Sequence, residues 1–507
     1  VQKHSLTAIH DVANRDDLPM LKGNQEDPMN IVSYRGPGMA GGVSSALARI
    51  WEDCSENASW WHLNENHVEV ARGIEYDTRR LNTLPKELIK GHYDYCNEFL
   101  WPVMHDLPQY ATYKKEQREA YYRFNEILSK TIGRNPASKT FSYFFVQDYQ
   151  LAIMPQLLRR MGLPSSAVFW HIPWPKNVRE DHLVPIAQVA RGLLASEAVG
   201  FHVQEYGENF LSFVAEHLPE YEVDLETMSV SPATNVLANV MASHSYGVEP
   251  RARAAWKTRN TQIVVAPLGL DFDHWNQMAN SARATFLPPL MRMPYVFSVD
   301  RADYTKGVSY RMKAIDAFFS KYPQYRGKLV FAQICGRTRP GIASFDNYWT
   351  ECQELAAHVK DRWSTPNWSP LNWIESSFSA EQLSILYRNA TTMLVNPVRD
   401  GLNLTAKEYI ACQGRRPGVL ALSREAGAWH ELGGDALEIK PEDPEQIADA
   451  VAASLNMSEN ERSARMSALM ESVRNNPLQL WWERFAVNSG ADQKLAQEEA
   501  SLEAKIS

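Results

Sequence analysis

No stretch of this chain approaches the roughly 20 consecutive apolar residues that a membrane span needs. The N-terminal stretch also lacks the charged-then-apolar pattern of a secretory signal. Both absences point away from a membrane protein. Cysteine is scarce, and Cys54, Cys96, Cys335, Cys352 and Cys412 are scattered without CxxC spacing. That argues against a zinc knuckle or a disulfide framework and for a reducing, cytoplasmic setting. Positive charge is not in excess either, because the formal net charge is -8. Nucleic acid is therefore a poor partner, although a pocket of two or three cations barely moves such a total and leaves a phosphate ligand open. Internal repeats and low-complexity tracts are missing too.

What is present is the composition of an ordinary globular chain, with 44% hydrophobic and 22% charged residues. At 507 residues it is too long for one core, and two domains are expected. Residues 1–28 form a polar segment, and Asn30 to Ser33 then reads as a short buried strand. Phe141 to Val146 reads as a strand, Leu151 to Met161 as a helix and Ala167 to Trp170 as a strand, a βαβ rhythm that implies a parallel sheet. The rhythm restarts at Tyr295 to Val299, with a helix over Ser309 to Lys321 and a strand over Lys328 to Ile334. Ser379 and Gln382 have capping-box spacing ahead of the helix Glu381 to Asn389, and Thr391 to Val395 follows as a strand. Val419 to Leu422 and Ala436 to Ile439 read as short strands. Asp443, Pro444 and Gln446 supply an N-cap, a proline at the first helical position and a box-closing glutamine.

The fold class expected is α/β, with two Rossmann-like doubly wound domains facing across a cleft. The first covers 29–280 and the second 281–476, with a polar, proline-bearing join near residues 270 to 294. Residues 477–507 hold Trp481, Trp482 and Phe485 on a helix-like segment that can return to the first domain. Ligands of such sheets sit beyond the carboxyl ends of the strands, and four constellations there, spread over five loops, carry candidate chemistry.

The run Asn396-Pro-Val-Arg-Asp-Gly-Leu-Asn-Leu-Thr-Ala-Lys-Glu408 leaves a strand and enters a helix. Asp400 can accept from sugar hydroxyls, Gly401, Leu402, Asn403 and Leu404 offer backbone N–H groups to an anionic diphosphate, and Glu408 can hold a ribose. The plainer alternative is a charged loop that caps its helix through Asn403. After the strand at Tyr295 comes Ser298-Val-Asp-Arg-Ala-Asp-Tyr-Thr-Lys306-Gly, where Arg301 and Lys306 can converge on a diphosphate leaving group. Its alternative is a solvated loop with an Arg301–Asp303 pair. Asp148 in Val146-Gln-Asp-Tyr-Gln150 can bind acceptor hydroxyls, and His171 in Phe169-Trp-His-Ile-Pro-Trp-Pro175 can contact a transferring sugar or be a satisfied core histidine. The glycine-rich loop Ser33-Tyr-Arg35-Gly-Pro-Gly-Met-Ala-Gly-Gly42 can cradle phosphate, but has neither P-loop nor GxGxxG spacing and also reads as a plain turn.

Taken in order, QDYQ, HIPWP, DRADYTKG and PVRDGLNLTAKEY resemble the motifs of glycosyltransferase family 20, the trehalose-6-phosphate synthase family, over roughly residues 28 to 490. The resemblance implies a GT-B fold and a retaining glucosyltransferase with Asp148, His171, Arg301 and Lys306 as its catalytic set. It implies donor binding by Gly42, His171, Arg301, Lys306, Asp400, the stretch Gly401 to Leu404, and Glu408, with Gly42 at the diphosphate and His171 near the 6-hydroxyl of the sugar. On the acceptor side it implies Arg35 and Arg339 on a phosphate, Asp148 on hydroxyls, Trp101, and one of His92 or Tyr93, with Tyr93 preferred. No metal and no cofactor are required by the motifs. The implied partners are a nucleotide-glucose donor and a phosphorylated small-molecule acceptor, without nucleic acid or membrane, and with a homo-oligomer left open.

Two departures bear on the acceptor. The N-terminal loop is shorter than in typical trehalose-6-phosphate synthases, and residues 222 to 262, which include Val248-Glu249-Pro250, look longer. That segment is similar to the glucosylglycerol-phosphate synthase branch, which implies ADP-glucose and glycerol 3-phosphate in compatible-solute synthesis under salt stress. Arg339 instead suits a hexose phosphate. Trehalose-6-phosphate synthesis is the alternative expectation, and a non-catalytic sugar-phosphate sensor is a further one.

Overall fold

A computed structural model describes residues 29–37, 39, 42–54, 58–73, 77–135, 143–163, 165–233, 260–281 and 293–488. Ten strands build the N-terminal sheet: β1 (Met29–Arg35), β2 (Ala58–Asn64), β3 (His67–Arg72), β4 (Asp77–Thr83), β5 (Tyr143–Gln147), β6 (Ser165–Phe169), β7 (Ala198–Phe201), β8 (Tyr221–Asp224), β9 (Ser229–Pro232) and β10 (Thr261–Val265). Their spatial order is β4-β3-β2-β1-β5-β6-β7-β10-β9-β8. The six central strands run parallel, and an antiparallel pair extends each edge. This follows from composition. Ile31, Val32, Phe144, Phe145, Val146, Val168 and Phe169 are buried on both faces of the centre, whereas β4 reads Asp77-Thr-Arg-Arg-Leu-Asn-Thr83 and is almost wholly exposed.

The second sheet contains β11 (Tyr295–Arg301), β12 (Val330–Gly336), β13 (Leu371–Ile374), β14 (Thr392–Val395), β15 (Val419–Ser423) and β16 (Leu437–Ile439). It is parallel throughout, with order β13-β12-β11-β14-β15-β16. Strand order therefore reverses between β11 and β14, as it does between β1 and β5 in the first sheet. Loops leaving two such neighbours diverge to opposite faces and open a crevice at their carboxyl ends. The five loops that carry candidate residues leave strands at or next to these two switch points: those after β1, β5 and β6 in the first sheet, and after β11 and β14 in the second.

Helix signals behave locally as their chemistry dictates. Ser379 accepts from Gln382 N–H while Gln382 Oε1 accepts from Ser379 N–H at 2.9 Å, the reciprocal capping box. Asp443 caps the helix Pro444–Asn456, but Gln446 does not close a box; its Oε1 accepts from Lys440 N–H at 2.8 Å and its Nε2 donates to Glu438 O. The helix expected over Leu151 to Met161 starts later, at Met154, because Tyr149–Leu151 winds as a separate 3₁₀ turn immediately after Asp148. The helix Leu478–Asn488 follows Pro477 and lies on the N-terminal sheet, where Trp481 is 4.9 Å from Phe169 and Phe485 is 5.2 Å from Phe145 between ring centroids. Gly200 makes room for it, since a Cβ there would stand 2.7 Å from the Phe485 ring. The expectation for residues 1–28 lies outside the described residues, as does most of the long segment after β9.

Candidate functional site

The floor of the C-terminal switch point is a knot of buried polar groups. Arg311, 1% exposed, donates from Nε to Asn396 Oδ1 (2.6 Å), from Nη1 to Gln333 Oε1 (2.7 Å) and from Nη2 to Asp300 Oδ2 (2.8 Å). Each partner sits on or just beyond a different strand, so one guanidinium ties β11, β12 and the loop after β14 together. Gly307 then turns the chain at φ +67°, and a Cβ there would be driven into the Asn396 carbonyl oxygen. Only glycine meets both conditions, which explains the last letter of DRADYTKG.

Above this floor the chemistry-bearing side chains converge. Lys306 Nζ lies 2.5 Å from Asp400 Oδ2, and Asn403 Nδ2 donates to the same oxygen at 3.0 Å. Burial acts to raise the Asp400 pKa, but the Lys306 charge outweighs it and holds the carboxyl below its usual range. Asn403, at φ 80°, caps the helix Leu404–Ala411 by accepting from Ala406 N–H. Capping and ligand binding are compatible, since the cap uses the Ala406 N–H and the remaining first-turn N–H groups are of the kind that an anion at a helix N-terminus accepts from. Gly401 packs on the His171 carbonyl, leaving no room for a Cβ, so the two domains meet there through bare backbone. Arg301 remains open to the water of the cleft while protein surrounds it at longer range; that burial, followed by repulsion from Arg339, pushes its pKa down. Glu408 accepts from Tyr387 O–H at 2.9 Å, and burial raises its carboxyl to about 7. Lys407, the neighbouring motif residue, points elsewhere and bridges Leu268 O (2.9 Å) and Glu431 (2.5 Å).

At the N-terminal switch point Asp148 adopts φ 68°, ψ 174°, a region that side-chain-bearing residues rarely enter. The backbone is fixed there because Asp148 N–H donates to Phe169 O (2.8 Å), and Oδ1 accepts from His171 N–H (3.1 Å). Burial raises the Asp148 carboxyl to about 7, against the backbone N–H groups of Tyr149 and His171, which act to lower it. His171 is neither free nor an isolated core residue. Leu268 N–H donates to His202 Nδ1 at 3.3 Å, so the proton of His202 resides on Nε2 and points at His171 Nδ1, 3.2 Å away. His171 is thereby the Nε2–H tautomer, donating to Gln147 Oε1 at 2.9 Å. Burial keeps both rings neutral, with His202 lowered to about 3 and His171 well below its ordinary value. Gln147 Nε2 has no partner among the described residues, although it is buried. Arg35 ends β1 and is exposed, and Gly42 opens the helix Gly42–Cys54; residues 38, 40 and 41 of the glycine loop lie outside the described residues.

A third cluster spans the cleft. Arg339, at φ 47°, donates from Nη1 to Asp303 Oδ2 (2.6 Å) and from Nε to Asn97 Oδ1, with its guanidinium 4.1 Å over Trp101 and 4.6 Å over Phe345. Trp101 Nε1 also donates to Asp303, at 3.4 Å. The Arg301–Asp303 pair is therefore not formed: the Asp303 carboxylate turns to Arg339, which leaves Arg301 facing the cleft. Of His92 and Tyr93, His92 is fully buried and stacked between Tyr34 and Tyr121, each 5.3 Å away, whereas Tyr93 stays half-buried near Arg339. Sequence reasoning gave no role to Asn97, Gln147, His202 or Arg311. Gln147 opens the QDYQ motif and Asn97 lies one helical turn before Trp101; the wide π turn Tyr95–Leu100, closed by Trp101 N–H on Cys96 O, sets Asn97 and Trp101 toward the cleft.

The site therefore combines two cations, a helix N-terminus and hydroxyl acceptors around one cleft, together with two carboxyls poised near neutrality. The chain is 31% identical over 425 residues to a bifunctional trehalose-6-phosphate synthase/phosphatase of Thermoproteus tenax, covering 82% of this chain and 54% of that one, so it spans about half that relative's length. An α,α-trehalose-phosphate synthase (UDP-forming) from Burkholderia vietnamiensis superposes with TM-score 0.79 at 25% identity, covering 92% of this chain and 97% of that one. The Burkholderia xenovorans enzyme, solved in complex with glucose-6-phosphate, gives TM-score 0.78 at 25% identity, with 91% and 99% covered. The model of glycosyltransferase family 20 matches residues 40–489, and the chain belongs to that family of glycosyltransferases.

Proposed function

We propose that the protein transfers glucose, with retention, from a nucleotide-glucose to the hydroxyl of a small phosphorylated acceptor, with ADP-glucose and glycerol 3-phosphate as the preferred pair. The observation that carries the transfer itself is the convergence of Arg301, Lys306 and the Asp400–Leu404 loop at one switch point. In this reading Arg301, Lys306 and the N–H groups at Leu404 stabilise the charge that grows on the diphosphate as the glycosidic C–O bond breaks. Asp400 and the Nε2–H of His171 hold sugar hydroxyls, the latter by exchanging Gln147 for the ligand. Glu408 holds the ribose. Asp148 orients the acceptor hydroxyl, whose oxygen bonds to the anomeric carbon on the face that the phosphate leaves, its proton passing to that phosphate.

One feature supports the smaller acceptor, the long segment 222 to 262, whereas Arg339 suits the larger hexose phosphate. A second reading, glucose 6-phosphate as acceptor, is favoured by the trehalose-phosphate synthases among the relatives. The test is to offer ADP-, UDP- and GDP-glucose, each against glycerol 3-phosphate and glucose 6-phosphate, and to record product mass. The expected product is glucosylglycerol phosphate, and turnover of glucose 6-phosphate alone would overturn the preferred acceptor. Arg301→Ala is expected to lower kcat by about 10²–10³-fold; full activity in that variant would remove the diphosphate assignment.

A further inference from the structure

Beyond the cleft, a concavity of one charge sign lies at the opposite end of the C-terminal sheet. It encloses about 420 Å³ and is lined by Arg388, Arg415, Arg416 and Arg462. Arg388 is in the last turn of the helix Ala380–Asn389, Arg415 and Arg416 lie in the turn that leads into β15, and Arg462 is in the first turns of the helix Glu459–Asn475. The pocket thus sits where β14 and β15 begin, whereas the transfer site sits where they end. The four residues of β14 put about 13 Å of strand between the two, at ~3.3 Å per residue.

None of the four guanidinium groups forms an ion pair with a carboxylate among the described residues. Among the described residues Arg388 donates only to uncharged oxygens, Ala279 O at 3.1 Å and Asn280 Oδ1. Arg462 Nε is buried and has no hydrogen-bond partner among the described residues. Four like charges around one hollow repel one another at separations within a Debye length. An unsatisfied buried N–H adds to that cost. Both terms reverse when an anion with several oxygens enters, because planar guanidinium forks match phosphate oxygens two at a time. A single carboxylate has too little charge to balance the set.

The wall behind the pocket is rigid. Gln413 accepts from Gly418 N–H (2.8 Å) and donates to Tyr387 O (2.8 Å), while Gly418 leaves no room for a Cβ against Tyr409 Oη and the Ala390 carbonyl. The turn that presents Arg415 and Arg416 is therefore clamped at both ends, and its arginines are displayed from a fixed base. The same Tyr387 bonds Glu408 in the cleft.

We propose that this pocket is a second ligand site, which binds a small anion carrying two or more phosphate groups. The proposal is independent of the transferase reading, because it rests on other residues at the other end of the strands. The test uses the full chain with the cleft saturated by a nucleoside diphosphate, titrated calorimetrically with inorganic tripolyphosphate at low ionic strength. The same titration is run on R415A/R416A, whose two side chains are exposed and outside the transfer site. The wild type is expected to take up one equivalent more than the variant, or to bind at least tenfold more tightly, and tripolyphosphate should raise the Tm of the wild type alone. Equal stoichiometry and equal affinity in the two proteins would overturn the proposal. Should R415A/R416A melt early without anion, R462Q replaces it, with the same two outcomes.

Discussion

The two switch points hold their functional groups in different ways. At the C-terminal one, support comes from beneath: Arg311 is bonded to Asn396, Gln333 and Asp300, and the charges above it are paired, Lys306 with Asp400. At the N-terminal one, support comes from the backbone and from neutral rings: Asp148 is held at positive φ, and the chain Leu268–His202–His171–Gln147 sets one tautomer. The difference matches the ligands proposed for each side. A diphosphate brings full negative charge, and cations fixed by a buried scaffold receive it without reorganising. Hydroxyl groups bring only dipoles, for which a defined donor and acceptor direction matters more than charge.

Arg311→Met should break the C-terminal scaffold most severely. It leaves the Asp300 carboxylate buried without its cation, and removal of one partner of such a pair costs about 3–5 kcal/mol. Denaturant unfolding measures this, and a loss below about 1 kcal/mol would show that the knot is not what holds the loops. Asp148→Asn tests the other side through pH. Burial raises the wild-type carboxyl to about 7 in the folded state, above its unfolded value of about 4. The stability tied to that proton is complete below about pH 4 and is lost as pH rises through about 7. Asparagine keeps the acceptor for His171 N–H and does not titrate. The stability of the variant relative to wild type should therefore grow by up to about 1.4 kcal/mol per pH unit across that window and then level off; a flat difference would contradict a protonated Asp148. Ser379→Ala, which removes the exposed cap, should cost about 1 kcal/mol while KM for either substrate stays unchanged. A change in KM would mean that the helix caps, too, take part in positioning the cleft.

Much of this was legible along the chain because its causes are local. The Ser379–Gln382 box, the buried runs of β5, β11 and β14, and the order of the four motif loops all follow from signals within a few residues. Gln446 shows where local reasoning stops: its spacing suits a capping box, yet Lys440 N–H competes for the same oxygen and wins it. Asp303 shows the same at longer range. An Arg301–Asp303 pair is the natural reading of DRAD, but Arg339 arrives from beyond β12 with a second partner, Asn97, and two aromatic rings to pack against.

The sequence by itself determined the α/β class, the two successive series of strands and helices, and the residue types gathered at the strand ends. Hydrophobic period, caps and glycine positions act over single turns and single strands, so they can be read without a fold. Tertiary structure alone decided which members of those sets meet. Asn97 and Arg339 are 242 positions apart, and Trp101 and Asp303 are 202 apart. Their partnership depends on two sheets placing their carboxyl ends face to face, and no signal along the chain carries that distance.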